Sequence, residues 1–153
     1  MARVFIVSRT DMKHCYTVDQ PVGMGCPNIR DDVLLVQFFL RRAMDECPTS
    51  KGIFPPGERP ISVDGIAGPQ TFRYIKFYQD EDNRRNPGKG VARDGRVDSI
   101  GKSGTGIGSI SNTLYTIIAL NVSYRQRKGI MIADIRKDNL FPQDLTGSLY
   151  LGE

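Results

Sequence analysis

Residues 64–79 read DGIAGPQTFRYIKFYQ and carry the strongest local pattern in the chain. The Asp64-Gly65 pair is typical of a turn, because aspartate can hydrogen-bond its own backbone and glycine adopts conformations closed to other residues. A Gly-Pro pair then interrupts the chain, and a helix is predicted to follow over residues 71–80. Apolar residues recur every three positions on one face of that helix: Phe72, Ile75 and Tyr78.

Upstream of this stretch, a first helix is predicted from about residue 28 to about residue 43. Asp31 and Asp32 stand in its first turn, and Arg41 and Arg42 stand near its end, where their charges suit the helix dipole. Its apolar residues cover more than one face. We therefore expect this helix either to be buried on several sides or to be covered by the chain termini.

Two loops and a third helix complete the helical part. Four prolines exclude a regular helix from residues 45–63, and residues 80–109 join a highly charged run to a glycine-rich run. The third helix is predicted over residues 109–124. Its apolar stripe consists of Ile110, Leu114, Ile117, Ile118 and Val122.

Short β-strands are predicted near both ends of the chain. Residues 3–8 and 130–135 are β-prone, and we expect them to pair because each otherwise lacks a partner. Residues 9–27 are predicted to be an irregular lead-in, and residues 148–151 another short strand. The sequence thus predicts a mainly α protein, with three helices, long loops and short strands at the termini.

Composition indicates a folded chain without an obvious site for metal or cofactor chemistry. Of the 153 residues, 39% are hydrophobic and 25% are charged, which is enough apolar material for a core. Three cysteines are not a disulfide framework, and none of them has the CxxC spacing of a zinc site. His14 and Cys15 are sequence neighbours, which do not face each other on a strand. We expect no metal and no cofactor.

Charge and the absence of targeting patterns limit the classes of partner and the cellular location that we expect. The net charge of +4 favours anionic partners, although many ordinary proteins carry a similar excess. The apolar run at residues 4–7 is too short for a signal-peptide core, and no stretch approaches a membrane-spanning length. We therefore expect a chain made in the cytoplasm without a membrane span. Action outside the cytosol would need a route other than a standard signal peptide.

The order of these patterns resembles the peptidoglycan-binding domain family. That family has a first helix of the form V-x-x-L-Q-x-x-L and then D-G-x-F-G-x-x-T-x-x-A-V-x-x-F-Q. A further Asp-Gly turn and a third helix close its pattern, as Asp94-Gly95 and the third predicted helix do here. The matching residues are Val33, Val36, Gln37, Leu40, Asp64, Gly65, Gly68, Thr71, Ile75, Tyr78 and Gln79.

The resemblance covers residues 28–124, with residues 1–27 and 125–153 as N-terminal and C-terminal extensions. Three positions depart from the family: Arg30 replaces a glycine, Ala67 an aromatic residue and Tyr74 an alanine. The matched residues are expected to be structural, with the glutamines at the core edge bonding loop backbone.

The resemblance implies a non-catalytic module that binds peptidoglycan or another anionic wall polymer. Wall hydrolases with such a module keep their catalytic residues in a separate domain, so we expect no enzyme activity. Arginines and a tyrosine near the matched turn suit the carboxylates, amides and hydroxyls of a wall glycopeptide. The candidate ligand-binding residues are Arg73, Tyr74, Arg84, Arg85 and Arg96.

One alternative is a structural or adaptor subunit of a phage-tail or contractile-injection-type assembly. Such a subunit would use the same fold for protein contacts, and its terminal strands could add to the sheets of neighbouring subunits. Nucleic-acid binding is disfavoured, because no helix is rich in arginine and lysine and few aromatics alternate with charges.

Overall fold

The computed structural model of the protein describes residues 3–6, 14–88, 90–100 and 114–147. Most of their regular structure lies in three helices, so the predicted mainly α class is confirmed. The helices are α1 (Arg30–Ala43), α2 (Pro69–Arg85) and α3 (Thr116–Lys128). Within this part of the chain, no helix has the length and apolar content needed to cross a bilayer.

The strands form two small antiparallel pairs. Strand β1 (Arg3–Ile6) pairs with β2 (His14–Thr17), and β3 (Val22–Gly23) pairs with β4 (Arg96–Val97). After α3, the C-terminal part of the described chain contains three short 3-10 turns. These turns span Gly129–Ala133, Ile135–Lys137 and Gln143–Leu145.

The predicted pairing of residues 3–8 with residues 130–135 is wrong. The partner of β1 lies in the segment predicted to be irregular, because the prolines and glycines that suggested a loop there all follow residue 17. Residues 130–135 are wound into 3-10 turns directly after α3, where Asp134 N–H donates to the Met131 carbonyl at 3.0 Å. The predicted strand at residues 148–151 lies outside the described residues.

Two helices differ in extent from the prediction. Helix α2 continues five residues past residue 80, where Glu81 pairs with Arg84 and Arg85 one turn further on and supports the last turn. Helix α3 begins at Thr116 and continues to Lys128, until Gly129 leaves the helical region with φ of 56°. Residues 109–113 of the predicted third helix lie outside the described residues.

The hydrophobic core surrounds α1. Almost all residues from 32 to 43 are buried, because α2, α3 and segments from both ends of the chain pack around this helix. The Phe38 ring lies 5.6 Å from that of Tyr124 and 5.5 Å from that of Phe141, and the Phe39 ring lies 6.3 Å from that of Tyr16. Both of the arrangements that the sequence left open for α1 are therefore present.

A glutamine on α1 holds the turn that precedes α2. The Gln37 Oε1 atom accepts from the backbone N–H of Asp64 at 3.0 Å and of Gly65 at 2.8 Å. Its Nε2 atom lies 3.1 Å from Asp64 Oδ1 and 3.0 Å from both the Ile66 carbonyl and Thr71 Oγ1. Gly65 has φ of 78°, which suits glycine. We call this contact the first glutamine latch.

The same arrangement recurs between α2 and α3. Gln79 Oε1 accepts from Gly95 N–H at 2.8 Å, and its Nε2 lies 3.2 Å from Asp94 Oδ1. The same Nε2 lies 2.9 Å from the Arg96 carbonyl and 3.0 Å from Thr116 Oγ1. This second glutamine latch therefore also joins a helix, an Asp-Gly turn and a threonine in the first turn of the next helix.

A buried ion pair ties α1 to the segment after α3. Arg42 Nε donates to Asp138 Oδ2 at 3.0 Å, its Nη2 also bonds that carboxylate, and the Tyr124 hydroxyl donates to Oδ2 at 2.9 Å. Burial works to raise the pKa of Asp138. The hydrogen bonds from Arg42, a backbone N–H and Tyr124 outweigh burial, so the pKa is lowered.

Candidate ligand-binding cleft

An open cleft of about 530 Å³ lies between the C-terminal half of α2, one side of α3 and the loop formed by residues 49–53. Its volume is in the range of sites that bind small molecules or short peptides. We refer to it as the α2–α3 cleft.

Two arginines hold the loop of the cleft in place. Arg85 Nη1 donates to Ser50 Oγ and to the Lys51 carbonyl, both at 3.0 Å. Arg127 Nη2 reaches the same two acceptors at 3.4 and 3.2 Å, while its Nε donates to the Asp45 carbonyl at 2.6 Å. These bonds fix the loop against both helices, so the walls of the cleft are joined before any ligand binds.

Positive charge predominates in the lining, which includes Lys51, Arg84 and Arg85. The two arginines share one neighbouring acid. Arg84 makes two hydrogen bonds to Glu81, at 3.0 and 2.8 Å, and Arg85 Nε lies 3.4 Å from the same carboxylate. The hydrogen bonds from Arg84 lower the pKa of Glu81, which keeps that carboxylate charged. Part of the arginine charge is therefore balanced within the protein.

Two further charges in the lining, of opposite sign, are not balanced in this way. Among the described residues, neither Lys51 nor Asp82 forms an ion pair within 4.0 Å. Lys51 is exposed, and Asp82 is half-buried and accepts from Asn86 Nδ2 at 3.4 Å. Burial raises the pKa of Asp82, although the nearby charge of Arg85 works in the opposite direction.

Apolar side chains from three segments complete the cleft: Ile53, Leu114, Ala119 and Val122. Val122 is 40% exposed, although the sequence placed it on the apolar stripe of the third helix that faces the core. An exposed valine beside separated charges gives the cleft both an apolar and an ionic component. Such a surface can bind an amphipathic ligand that carries charge.

The structure brings together two of the five predicted ligand residues. Arg84 and Arg85 line the cleft. Arg73 lies elsewhere on α2 and pairs with Glu58, with its Nε 2.6 Å from Oε1. Tyr74 is buried, with 2% of its surface exposed, and its hydroxyl donates to the carbonyl of residue 59. These two side chains are already occupied by contacts within the protein.

Arg96, the fifth predicted residue, also lies outside the lining of the cleft and pairs with Asp98 at 2.8 Å. The sequence reasoning missed Lys51 and Asp82. Lys51 stands in a loop between prolines, and Asp82 stands in the charged run at the start of the loop predicted over residues 80–109. Glu81 stands three and four residues before Arg84 and Arg85, a spacing that favours a helix and would place Asp82 on α2.

The other side chains with potential chemistry are metal-binding groups and thiols. In the described ranges, no group of three or more His, Cys, Asp and Glu residues is arranged to hold a metal ion. Cys15, Cys26 and Cys47 are free thiols. Burial raises the pKa of Cys15 to about 12, and the hydrogen bond with Thr49 lowers the pKa of Cys47.

No family model, curated protein or solved structure matches the chain. The chemistry of the α2–α3 cleft and the pattern of the two glutamine latches are therefore what bear on function.

Proposed function

We propose that this protein is a non-catalytic binding module that recognises peptidoglycan or a related cell-wall glycopeptide in the α2–α3 cleft. The observation that carries the proposal is the lining of the cleft, which combines Lys51, Arg84 and Arg85 with an apolar wall. Wall glycopeptides present carboxylates and small apolar side chains together. Arginine and lysine bind carboxylates through charge-assisted hydrogen bonds.

The glutamine latches support the same proposal. The residues on which the resemblance to the peptidoglycan-binding domain family rests include Gln37, Asp64, Thr71 and Gln79. The side chains of these four residues take part in the latches, together with those of Asp94 and Thr116. The family pattern therefore coincides with contacts that set the helical frame, and the cleft lies between two of the helices so joined.

The test is sedimentation with purified insoluble peptidoglycan at low and at high salt. We expect retention of the protein to persist at high salt, because apolar contacts and short hydrogen bonds are screened less than long-range charge attraction. Arg84→Ala should lower the retained fraction. Arg136→Ala is the matched control, since Arg136 also pairs with one nearby acid, Asp134, but lies outside the lining of the cleft.

Equal retention of the two variants would argue against the cleft as the binding site. Loss of all retention at modest salt would argue against specific wall recognition and leave only non-specific attraction.

A second candidate function is that of a structural or adaptor subunit in a phage-tail or injection-type assembly. The observation that favours it is the edge of the first sheet. Within the described residues, β1 pairs with β2 alone, whereas Tyr16 of β2 bonds Asn121 through its N–H and its carbonyl, both at 2.8 Å. The outer edge of β1 could thus accept a strand from a neighbouring subunit.

Size-exclusion chromatography with light scattering tests this second function. An assembly subunit should form a stable oligomer that Val4→Pro weakens, because proline removes a backbone donor from β1. A monomer at all concentrations, together with wall retention, would favour the binding module.

A further inference from the structure

Two charges in the α2–α3 cleft that lack an ion-pair partner among the described residues indicate which part of a wall polymer would bind there. We infer that the ligand is a short peptide that carries both a free carboxylate and a free amine, with Lys51 contacting the carboxylate and Asp82 the amine. The inference rests on the proposed function and specifies the ligand of the same cleft.

The first argument is the opposite sign of the two charges. Glu81 already engages Arg84 and Arg85, whereas Lys51 and Asp82 have no ion-pair partner within 4.0 Å among the described residues. They are therefore more than 4.0 Å from each other and do not neutralise one another directly. A ligand with one positive and one negative group can neutralise both, and a ligand with carboxylates alone cannot.

The second argument is the burial of Asp82. This side chain is half-buried, and in the part of the chain that the structure describes its carboxylate accepts one hydrogen bond, at 3.4 Å from Asn86 Nδ2. A carboxylate that has lost part of its hydration without gaining a strong donor is well placed to accept one from a ligand. An ammonium group supplies such donors together with the opposite charge.

The third argument favours peptide over glycan. Among the described residues that line the cleft, none is aromatic, so the flat rings on which sugar rings stack are not part of its surface. The apolar wall instead consists of short aliphatic side chains such as Ala119 and Val122. Small methyl and methylene groups of a peptide fit against such a wall.

The experiment has two stages, both with the full chain. Sedimentation with sacculi first tests wall binding. Peptide stems released from the same sacculi by an amidase are then used as competitors in three forms: untreated, fully N-acetylated, and amidated at the carboxylates. The disaccharide without peptide is the fourth competitor. Calorimetry with the untreated stem peptide gives the dissociation constant directly.

We expect the untreated stem peptide to compete and the disaccharide not to compete. Acetylation and amidation should each weaken binding by about three- to tenfold, as expected for partly exposed charge pairs. Asp82→Asn should abolish the difference between the untreated and the acetylated peptide but keep the effect of amidation. Lys51→Gln should do the reverse.

Matched controls are available on α2. Asp80→Asn and Lys76→Gln make the same charge changes at exposed positions outside the cleft lining, and they should leave every ratio unchanged. Circular dichroism of each variant confirms that it is folded.

The outcomes separate the inference from the proposed function. Retention on sacculi with competition by the disaccharide, or with no effect of acetylation, overturns the inference and leaves the wall-binding module in place. A protein that is not retained on sacculi overturns the proposed function, and the inference with it. Retention together with the two residue-specific losses supports both.

Discussion

Thr71 and Gln79 stand eight residues apart on α2 and belong to two successive glutamine latches. Thr71 Oγ1 accepts a hydrogen bond from the side chain of Gln37 on α1 at 3.0 Å. Gln79 Nε2 donates to Thr116 Oγ1 on α3, also at 3.0 Å. Helix α2 thus accepts a side-chain hydrogen bond from α1 near its start and donates one to α3 from its second half. At about 1.5 Å per residue, the two side chains are separated by about 12 Å along the helix axis.

This relationship predicts a cost for removing either glutamine. Gln37→Leu should lower the free energy of unfolding by about 2–3 kcal/mol, because the backbone N–H groups of Asp64 and Gly65 lose their acceptor. Urea denaturation measures the change. Gln126→Leu, at an exposed position on α3, is the control and should change stability by less than about 0.5 kcal/mol. Similar losses for the two variants would refute a structural role for the latch.

The buried ion pair predicts non-additive mutants. Arg42→Met alone should cost about 3–5 kcal/mol, because it leaves the buried Asp138 without its counter-charge. Asp138→Leu alone should cost less, because Arg42 keeps its ion pair with Asp45 at 3.0 Å. The double variant should lose less than the sum, since no buried charge is left unpaired and the partly exposed Asp45 still has Arg41 at 3.6 Å. Thermal or urea unfolding of all four proteins gives the coupling free energy. Additive losses would mean that the pair is not coupled as its contacts indicate.

Acid should weaken the same contact. The pKa of Asp138 is lowered from its ordinary value of 3.8, so the stability that it contributes is present above pH 3.8 and is lost as the pH falls through the lower, folded-state pKa. We expect the unfolding free energy of the wild type to fall in that window. Asp138→Asn, which cannot ionise, should show a shallower fall over the same pH range. Parallel pH curves would contradict the assignment.

Tyr74 should prove structural and not part of the wall-binding surface. Tyr74→Phe removes the hydrogen bond to the carbonyl of residue 59 and should lower the unfolding free energy by about 1 kcal/mol. Retention on peptidoglycan should stay at the wild-type level. Arg73→Ala, at an exposed position outside the cleft lining, should also leave retention unchanged. Unchanged stability with lost retention would return Tyr74 to the ligand site.

Two of the three thiols, Cys47 and Cys15, should react in a fixed order with iodoacetamide. The Thr49 hydrogen bond lowers the pKa of Cys47, so its alkylation rate should reach half-maximum below pH 9.0, the ordinary value. Cys15 is fully buried with a pKa of about 12, and it should react only after unfolding. Mass spectrometry of timed digests assigns the sites. Labelling of Cys15 in the native protein at the rate of Cys47 would contradict this.

Local patterns were enough to predict three helices, but not the ends of α2 and α3. The apolar repeat located α1 and α2, and the Asp-Gly pairs located the turns, because these signals act between residues close in sequence. Contacts between distant residues carried no such signal. The pair Arg42 and Asp138 is separated by 96 positions, and each residue alone resembles a solvated surface charge.

The cleft was predicted only in part for the same reason. Arg84 and Arg85 stood out as a basic pair near the matched turn. Lys51 joins them only because Arg85 and Arg127 hold its loop against α2 and α3, through bonds that span 34 and 76 positions. The exposure of Val122 likewise depends on which neighbours α3 finds, and the periodicity of the helix alone cannot decide this.

The two glutamine latches share most of their contacts but enclose connections of different length. The first spans 27 positions, from Gln37 to Asp64, and the second spans 15, from Gln79 to Asp94. Because each latch fixes its turn by side-chain hydrogen bonds, the positions of the helices need not depend on the length of the connection. Closing a longer loop costs little extra entropy. The longer connection is the one that contains Ser50 and Lys51. The cleft thus owes one of its walls to the longer of the two connections, and exchanging residues there offers a way to change the cleft while both latches stay in place.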